Sequence, residues 1–156
     1  MTRKEKAMQS FLDGYNCSQC MILAFADIIE KYADIDINTA LKIASPFGAG
    51  MGRLREVCGS VSGMFMILGY IEGYNEAGDY DGKKKLYEDI QELARRYEEA
   101  NGSIICRELL GLDVKRQAAV PERRTEEYYK KRPCAEKIGS AAEVLEGYLK
   151  ELGYYV

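Results

Sequence analysis

The sequence predicts an all-α protein, a single-domain helical bundle packed around a central glycine-rich apolar helix. Apolar residues recur at helical spacing in most segments, whereas no segment shows the alternation typical of a strand. Good helix formers such as Leu, Ala, Glu and Lys are frequent, and there are only three prolines. A chain of 156 residues without a repeat period is the size of one domain, so we expect residues 1–156 to form one unit.

The first third of the chain predicts three helices. Apolar residues within 7–12 mark a short helix that ends at Gly14, which can adopt a left-handed backbone. Asn16 begins a capping-box pattern, which predicts a second helix from about Cys17 to Tyr32. A third short helix is expected before Pro46.

The middle of the chain predicts the central helix. Residues 48–53, GAGMGR, form a predicted glycine-rich turn, and a long apolar helix is expected from about Leu54 to Tyr74. Gly59 and Gly63 lie four residues apart on this helix, a spacing that lets a neighbouring backbone approach closely. We therefore expect the other helices to surround it.

The second half predicts an amphipathic helix from Lys83 to about Asn101, a short helical piece over Cys106 to Leu110, and a last helix from about Cys134 to Leu152. Pro133 suits the first turn of that last helix. The polar segment 111–132 carries charges of both signs, which favours a solvated surface over a binding arm.

Charge and hydropathy exclude two function classes. The net charge of −3 gives no electrostatic case for nucleic-acid binding. The most apolar window, Val57 to Ile71, is too short to span a membrane, and the first residues do not resemble a secretory signal. We therefore expect a cytoplasmic protein whose five cysteines are free, metal-bound or transiently oxidised.

The reactive side chains are the cysteines. The chain has no histidine, which removes the commonest general base, metal ligand and partner of a nucleophile. The cysteines fall on four predicted helices, so only tertiary packing can join them. The candidate catalytic residues are Cys17, Cys20, Cys58, Cys106 and Cys134.

The motif NCSQC suggests a redox pair. Cys17 would stand in the first turn of a helix, where unsatisfied N–H groups and the helix dipole favour a thiolate. We therefore expect Cys17 to be the more acidic thiol and Cys20 to resolve a mixed disulfide. The alternative is that both are small buried hydrophobic residues.

Cys58 follows the glycine turn, and Arg55 lies three residues before it, so both features could lower its pKa. Gly59 would leave room beside the sulfur for an ion, a ligand or another helix. The candidate cofactor-binding residues are Gly48, Gly50, Gly52, Gly59 and Gly63.

Known cofactor motifs are incomplete in this chain. Arg53 replaces the last glycine of a dinucleotide-binding turn, and a Walker lysine is absent. A single CxxC excludes a zinc ribbon. A four-thiolate site made from distant cysteines, holding zinc or an iron–sulfur cluster, stays open.

The order of motifs NCSQC, FGAGMG, EVCGSVSG, ICRELLG and RPCAEKIG resembles a family of small bacterial proteins called "putative redox-active", which has a signature of one cysteine, a CGAxxG element and two more cysteines. Cys17, Cys58, Cys106 and Cys134 match the four cysteines in order, and Ser60 replaces the alanine of the element. Cys20 lies outside the signature. The resemblance implies a helical fold that gathers four thiols, and a redox or cofactor-binding role.

The leading hypothesis is a redox-active protein with a clustered four-cysteine site. The site would perform thiol–disulfide exchange with a partner protein or a small oxidant or reductant, or would hold a metal or iron–sulfur centre for electron transfer. Its metal ligands would be Cys17, Cys58, Cys106 and Cys134. The alternative is a non-enzymatic module with structural zinc or packing cysteines. The tyrosines, with a cluster at residues 128–129 and 154–155, are interpreted mainly as core and rim packing. A ligand pocket, a homodimer interface, or docking of a partner through the tyrosine-rich C-terminus are the alternatives.

Overall fold

The computed structural model describes residues 1–156 and contains nine α-helices and no strand. The helices are α1 (Arg3–Leu12), α2 (Cys17–Ala24), α3 (Ala26–Tyr32), α4 (Ile37–Ala44), α5 (Gly59–Glu72), α6 (Tyr80–Asn101), α7 (Cys106–Leu109), α8 (Glu126–Lys131) and α9 (Cys134–Glu151). The predicted all-α, single-domain class is confirmed. None of the helices combines the length and the apolar character needed to cross a bilayer.

Helix α5 is the central element, as its composition predicts. Residues 59–64 of its first turns are all buried, and its far end adds Ile67 and Leu68 to the core. Helix α2 packs along one side of it, while α6 and α9 cover others and α1 lies on α2 and α9. An apolar helix buried around most of its surface must pack against several neighbours, because no face can point to water.

Two glycines bring α5 and α2 into close contact. A Cβ atom added to Gly63 would lie 2.7 Å from Met21 Cβ, and one added to Gly59 would lie 2.9 Å from Cys17 Cβ. Both distances are shorter than two carbon atoms tolerate, so the helices could not approach this closely with larger residues. The predicted role of this glycine pair in close helix packing is supported by both contacts.

The predicted helix from Cys17 to Tyr32 is in fact two helices. Phe25 has φ −117° and ψ 19°, which interrupts the helix between α2 and α3. Its ring is fully buried, and the guanidinium of Arg3 stacks on it 4.9 Å from the ring centroid. The break is a tertiary feature, because Phe25 has neither glycine nor proline beside it to predict it.

The central helix begins later than predicted, at Gly59 rather than at Leu54. The backbone of Arg55 has φ 57°, and Val57 forms an isolated antiparallel bridge with Ile105. The Cys58 N–H donates to Ile104 O (2.8 Å), and the Cys106 N–H donates to Glu56 O (2.6 Å). This short antiparallel pairing places the start of α5 beside the start of α7.

The predicted glycine-rich turn winds in the left-handed sense. Ala49 (φ 57°, ψ 37°), Gly50 (φ 66°, ψ 44°) and Met51 (φ 70°, ψ 71°) lead to Arg53, which also has positive φ. A non-glycine residue pays roughly 1–2 kcal/mol for this conformation. Gly50 is required for a second reason, since its added Cβ would lie 2.6 Å from Cys106 Cβ.

Part of the polar segment 111–132 packs against the rest of the protein instead of forming only a solvated surface. The Gln117 N–H donates to Arg53 O (3.0 Å), and the Arg124 Nη1 donates to Phe11 O (2.9 Å). The ring of Tyr129 packs edge-on against Phe11. We call residues 111–125 the strap, because this stretch without helix connects α7 to α8 across the starts of other helices.

The tyrosines of the predicted cluster lie in two separate places. Tyr128 and Tyr129 contact Phe11, whereas Tyr154 packs against Tyr32 and donates to Glu72 Oε1 (2.8 Å). These are contacts within one chain. A homodimer through a single tyrosine surface remains a prediction.

The glycine contact between α5 and α2 gives the first prediction. Gly63→Ala should lower the free energy of unfolding by about 1–3 kcal/mol, because the new methyl group meets Met21 and overpacks the interface. Chemical denaturation followed by circular dichroism measures the change.

Gly69→Ala is the matched control on the same helix, because nothing lies within 4 Å of its added Cβ. It should leave the stability unchanged or raise it by up to about 1 kcal/mol. Equal effects of the two substitutions would contradict a packing role for Gly63.

Candidate functional site: a cysteine-lined cavity

The four cysteines of the signature stand at the starts of four helices. Cys17, Cys106 and Cys134 are the first residues of α2, α7 and α9, and Cys58 is the residue that precedes α5. The first turn of a helix has unpaired N–H groups and a partial positive charge. Each thiol therefore lies at a position that stabilises a negative sulfur better than a position in the middle of a helix would.

These four cysteines line one cavity of about 250 Å³. The strap and the left-handed turn form much of the remaining wall. Cys58 and Cys106 are buried, whereas Cys17 and Cys134 are partly exposed. Tertiary packing thus brings together the cysteines that sequence spacing alone left on separate helices.

The Cys134 thiol is the acidic member of the group. Its pKa is lowered, first because the Cys17 thiol can donate a hydrogen bond to the Cys134 thiolate, and further because Arg132, Arg55 and Arg124 place positive charge nearby. Burial acts in the opposite direction. Within the Cys17–Cys134 pair, the thiolate is therefore on Cys134, at the start of α9.

Cys17 is its proton-bearing neighbour. The hydrogen bond to Cys134 and burial raise the pKa of Cys17 well above its ordinary value. The sequence predicted Cys17 to be the more acidic thiol of the NCSQC motif, and its raised pKa does not support that prediction. A helix start favours the thiolate at both positions, but only Cys134 has arginines beside it and a donor facing it.

Cys58 and Cys106 have different surroundings. The Cys58 sulfur lies 3.1 Å from Ser60 Oγ and 3.7 Å from the Tyr97 hydroxyl. Burial raises the pKa of Cys106, although Arg55 Nη1 donates to its sulfur at 3.5 Å and acts against that rise. Arg55 therefore contacts Cys106, not Cys58 as its spacing in the sequence suggested.

Cys20 is not part of the cavity. Its side chain is fully buried in the core, its sulfur lies 3.7 Å from Tyr15 O, and burial raises its pKa to about 12. The predicted resolving role is not supported by this position. The other prediction made for it, a buried residue one turn into the helix, describes it better.

Of the five predicted cofactor-binding glycines, some line the cavity and one does not. Gly48, Gly50, Gly52 and Gly59 line the cavity, but Gly63 does not. An added Cβ at Gly48 or Gly59 would meet Asn16 or Cys17, so these glycines are needed for protein packing. Gly52 is the most open of the set, with its nearest atom, Pro46 O, at 3.9 Å.

Sequence reasoning missed most of the charged residues of the cavity. Its wall contains one carboxylate, Glu122, and five cations. The cations are Arg53, Arg55, Arg124, Arg132 and Lys137. The basic run KKRPC before α9 was the available signal, because it places positive charge beside Cys134 whatever the fold.

The four thiols share a cavity without forming a ligand cage in this arrangement. No three Cys, Asp or Glu side chains are placed so that together they could hold one metal ion. Metal ligation by Cys17, Cys58, Cys106 and Cys134 stays a prediction.

Comparison with protein families supports the motif analysis. Residues 15–148 match the family described as "Putative redox-active protein (C_GCAxxG_C_C)". The chain belongs to this family. All four signature cysteines fall within the match, and the resemblance read from the sequence is confirmed. The signature in the family's description places glycine before cysteine, whereas here Cys58 precedes Gly59. No curated protein and no solved structure matches this chain.

The acidity of Cys134 gives the second prediction. Alkylation of Cys134 by iodoacetamide should continue below the pH at which an ordinary thiol becomes protonated, because its pKa is lowered. Cys17→Ala removes the hydrogen-bond donor and should raise the midpoint of the pH profile by about one unit. Peptide mapping of the alkylated protein identifies the residue.

Cys20→Ala is the control, since Cys20 lies outside the cavity, and its profile should match that of the unmodified protein. A midpoint that does not move in Cys17→Ala would contradict the assigned hydrogen bond.

Proposed function

We propose that this protein performs thiol–disulfide exchange, with Cys134 as the attacking thiolate and Cys17 as the resolving thiol. The observation that carries the proposal is that the two thiols stand at the starts of α9 and α2 and line the same cavity. The lowered pKa of Cys134 beside Cys17 supports it. Both are partly exposed, so a disulfide substrate can reach them. The family description as redox-active agrees with a thiol-based reaction.

The reaction balances as two exchanges. The Cys134 thiolate attacks one sulfur of the substrate disulfide, the substrate S–S bond breaks, and the first product leaves as a thiolate that takes up a proton. Cys17 then loses its proton and attacks the Cys134 sulfur, which releases the second product thiol and forms the Cys17–Cys134 disulfide. Two electrons pass from the protein dithiol to the substrate.

The proton on Cys17 favours attack by Cys134 first and by Cys17 second. The Cys17 thiol stabilises the negative Cys134 sulfur before attack, and once Cys134 is in the mixed disulfide that negative charge is gone. The loss of that charge lowers the cost of ionising Cys17. The negative charge on Cys134 therefore keeps Cys17 protonated in the resting protein, and the loss of that charge after the first exchange allows Cys17 to ionise.

The cycle requires a reductant. Two thiols of a partner protein or of a small thiol can return the Cys17–Cys134 disulfide to the dithiol by the reverse exchanges. A cytoplasmic location is part of this proposal, because a reducing compartment supplies that thiol.

Cys58 and Cys106 have supporting roles in this scheme. Both are buried on the wall of the cavity, and burial raises the pKa of Cys106. The Cys106 thiol would therefore remain protonated while Cys134 reacts.

The third prediction tests the pair directly. One equivalent of hydroxyethyl disulfide should oxidise the reduced protein, release two equivalents of mercaptoethanol and lower the mass of the protein by two hydrogens. Peptide mapping should locate the disulfide between Cys17 and Cys134. Cys17→Ser should stop at a mixed disulfide on Cys134, and Cys134→Ser should not form it.

Cys20→Ala should behave as the unmodified protein. Formation of a disulfide that includes Cys20, or full oxidation of Cys134→Ser, would contradict the assignment.

Metal analysis of protein purified without oxygen tests the other role predicted for the thiols, a zinc or iron–sulfur centre. Stoichiometric iron or zinc that is lost in Cys58→Ser would replace exchange with a metal centre.

A further inference from the structure

The cavity concentrates positive charge in an acidic protein. Five cations and one carboxylate line it, although the chain as a whole has a net charge of −3. A concave wall of one sign focuses the field and attracts ligands of the opposite sign. The excess of positive charge is therefore specific to the cavity and does not follow from the composition of the whole chain.

The single carboxylate does not neutralise this charge. Glu122 pairs with Arg132 and lies 3.8 Å from Arg53 Nη1. Burial acts to raise its pKa, but Arg132, Arg53 and Arg55 together hold it below the usual range. No ion pair of the protein includes Arg55, Arg124 or Lys137. Three cations at the cavity thus have no acidic partner.

Arg55 is the decisive residue. Only 5% of its surface is exposed, and its side chain bonds to two uncharged groups, Gln117 Oε1 at 2.8 Å and the Cys106 sulfur at 3.5 Å. A buried guanidinium needs negative charge close to it, because loss of hydration costs several kcal/mol. Glu122 and the Cys134 thiolate lie near enough for Arg55 to lower their pKa values, but neither forms an ion pair or a hydrogen bond with it. A negative group that enters the cavity would supply the missing partner.

We propose that the substrate is a small disulfide that carries carboxylates near its sulfur atoms. The inference rests on the proposed exchange reaction and adds its specificity. Arg55 and Lys137 would hold the carboxylates, while the attacked sulfur lies against Cys134. Arg124 donates to Phe11 O and Tyr15 O and would add positive charge without binding directly. The volume of about 250 Å³ suits one half of a small disulfide.

The test compares three disulfides of similar size: dithiodipropionate (anionic), hydroxyethyl disulfide (neutral) and cystamine (cationic). Each rate of oxidation of the protein is divided by the rate of the same disulfide with mercaptoethanol, which removes differences in intrinsic reactivity. The normalised rates should fall in the order anionic, neutral, cationic, with about a tenfold or larger span that shrinks in high salt.

Two variants assign the preference to the cavity. Arg55→Gln should remove most of the span, and Lys137→Gln, a partly buried residue whose amine contacts only Asn101 at 3.4 Å, should reduce it about threefold. Lys150→Gln removes the same charge from the exposed part of helix α9 and should leave the span unchanged. Lys137→Gln keeps the test valid if Arg55→Gln does not fold.

The outcomes separate the two proposals. If hydroxyethyl disulfide forms the Cys17–Cys134 bond but the three normalised rates are equal, the charge preference is wrong and the exchange reaction stands. A preference that survives in both Arg55→Gln and Lys137→Gln also overturns the inference. If none of the disulfides oxidises the pair, the exchange reaction itself fails.

Discussion

The contact between α5 and α2 sets the position of the cysteines. Gly59 allows its backbone to approach the Cβ of Cys17, and Gly63 does the same for Met21 one turn later. Because Cys58 immediately precedes α5 and Cys17 begins α2, this contact fixes both thiols at the same end of the helix pair. Helix α9 packs on both helices and brings Cys134 to that end.

The left-handed turn completes the cavity at a cost. Ala49, Met51 and Arg53 occupy backbone conformations that usually belong to glycine. Strain of this kind persists where the surrounding structure determines the conformation, and it is concentrated at functional sites. Here the turn places Arg53 on the cavity wall. Arg55, two residues later, also has positive φ and also lines the cavity. A regular helix over this stretch would direct these side chains elsewhere.

The fold class and the four cysteines of the site could be predicted from sequence because they depend on local patterns. Helical periodicity, glycine spacing and cysteine order are visible in the chain itself. The break at Phe25 and the late start of α5 could not be predicted, since each depends on a distant partner, the buried core in one case and the backbone of residues 104–106 in the other. The lowered pKa of Cys134 could not be predicted for the same reason, because the thiol that donates a hydrogen bond to it belongs to Cys17, far away in sequence.

The distance along the chain between Cys17 and Cys134 has a mechanical consequence. A bond between them would close a loop of more than a hundred residues, which includes α2 to α8. In the chain-entropy model, a loop of that length restricts the unfolded ensemble by roughly 5 kcal/mol. The oxidised form would then be a cross-linked molecule with slower unfolding and greater resistance to proteolysis. The redox state of the cell could thereby set the lifetime of the protein as well as its reactivity.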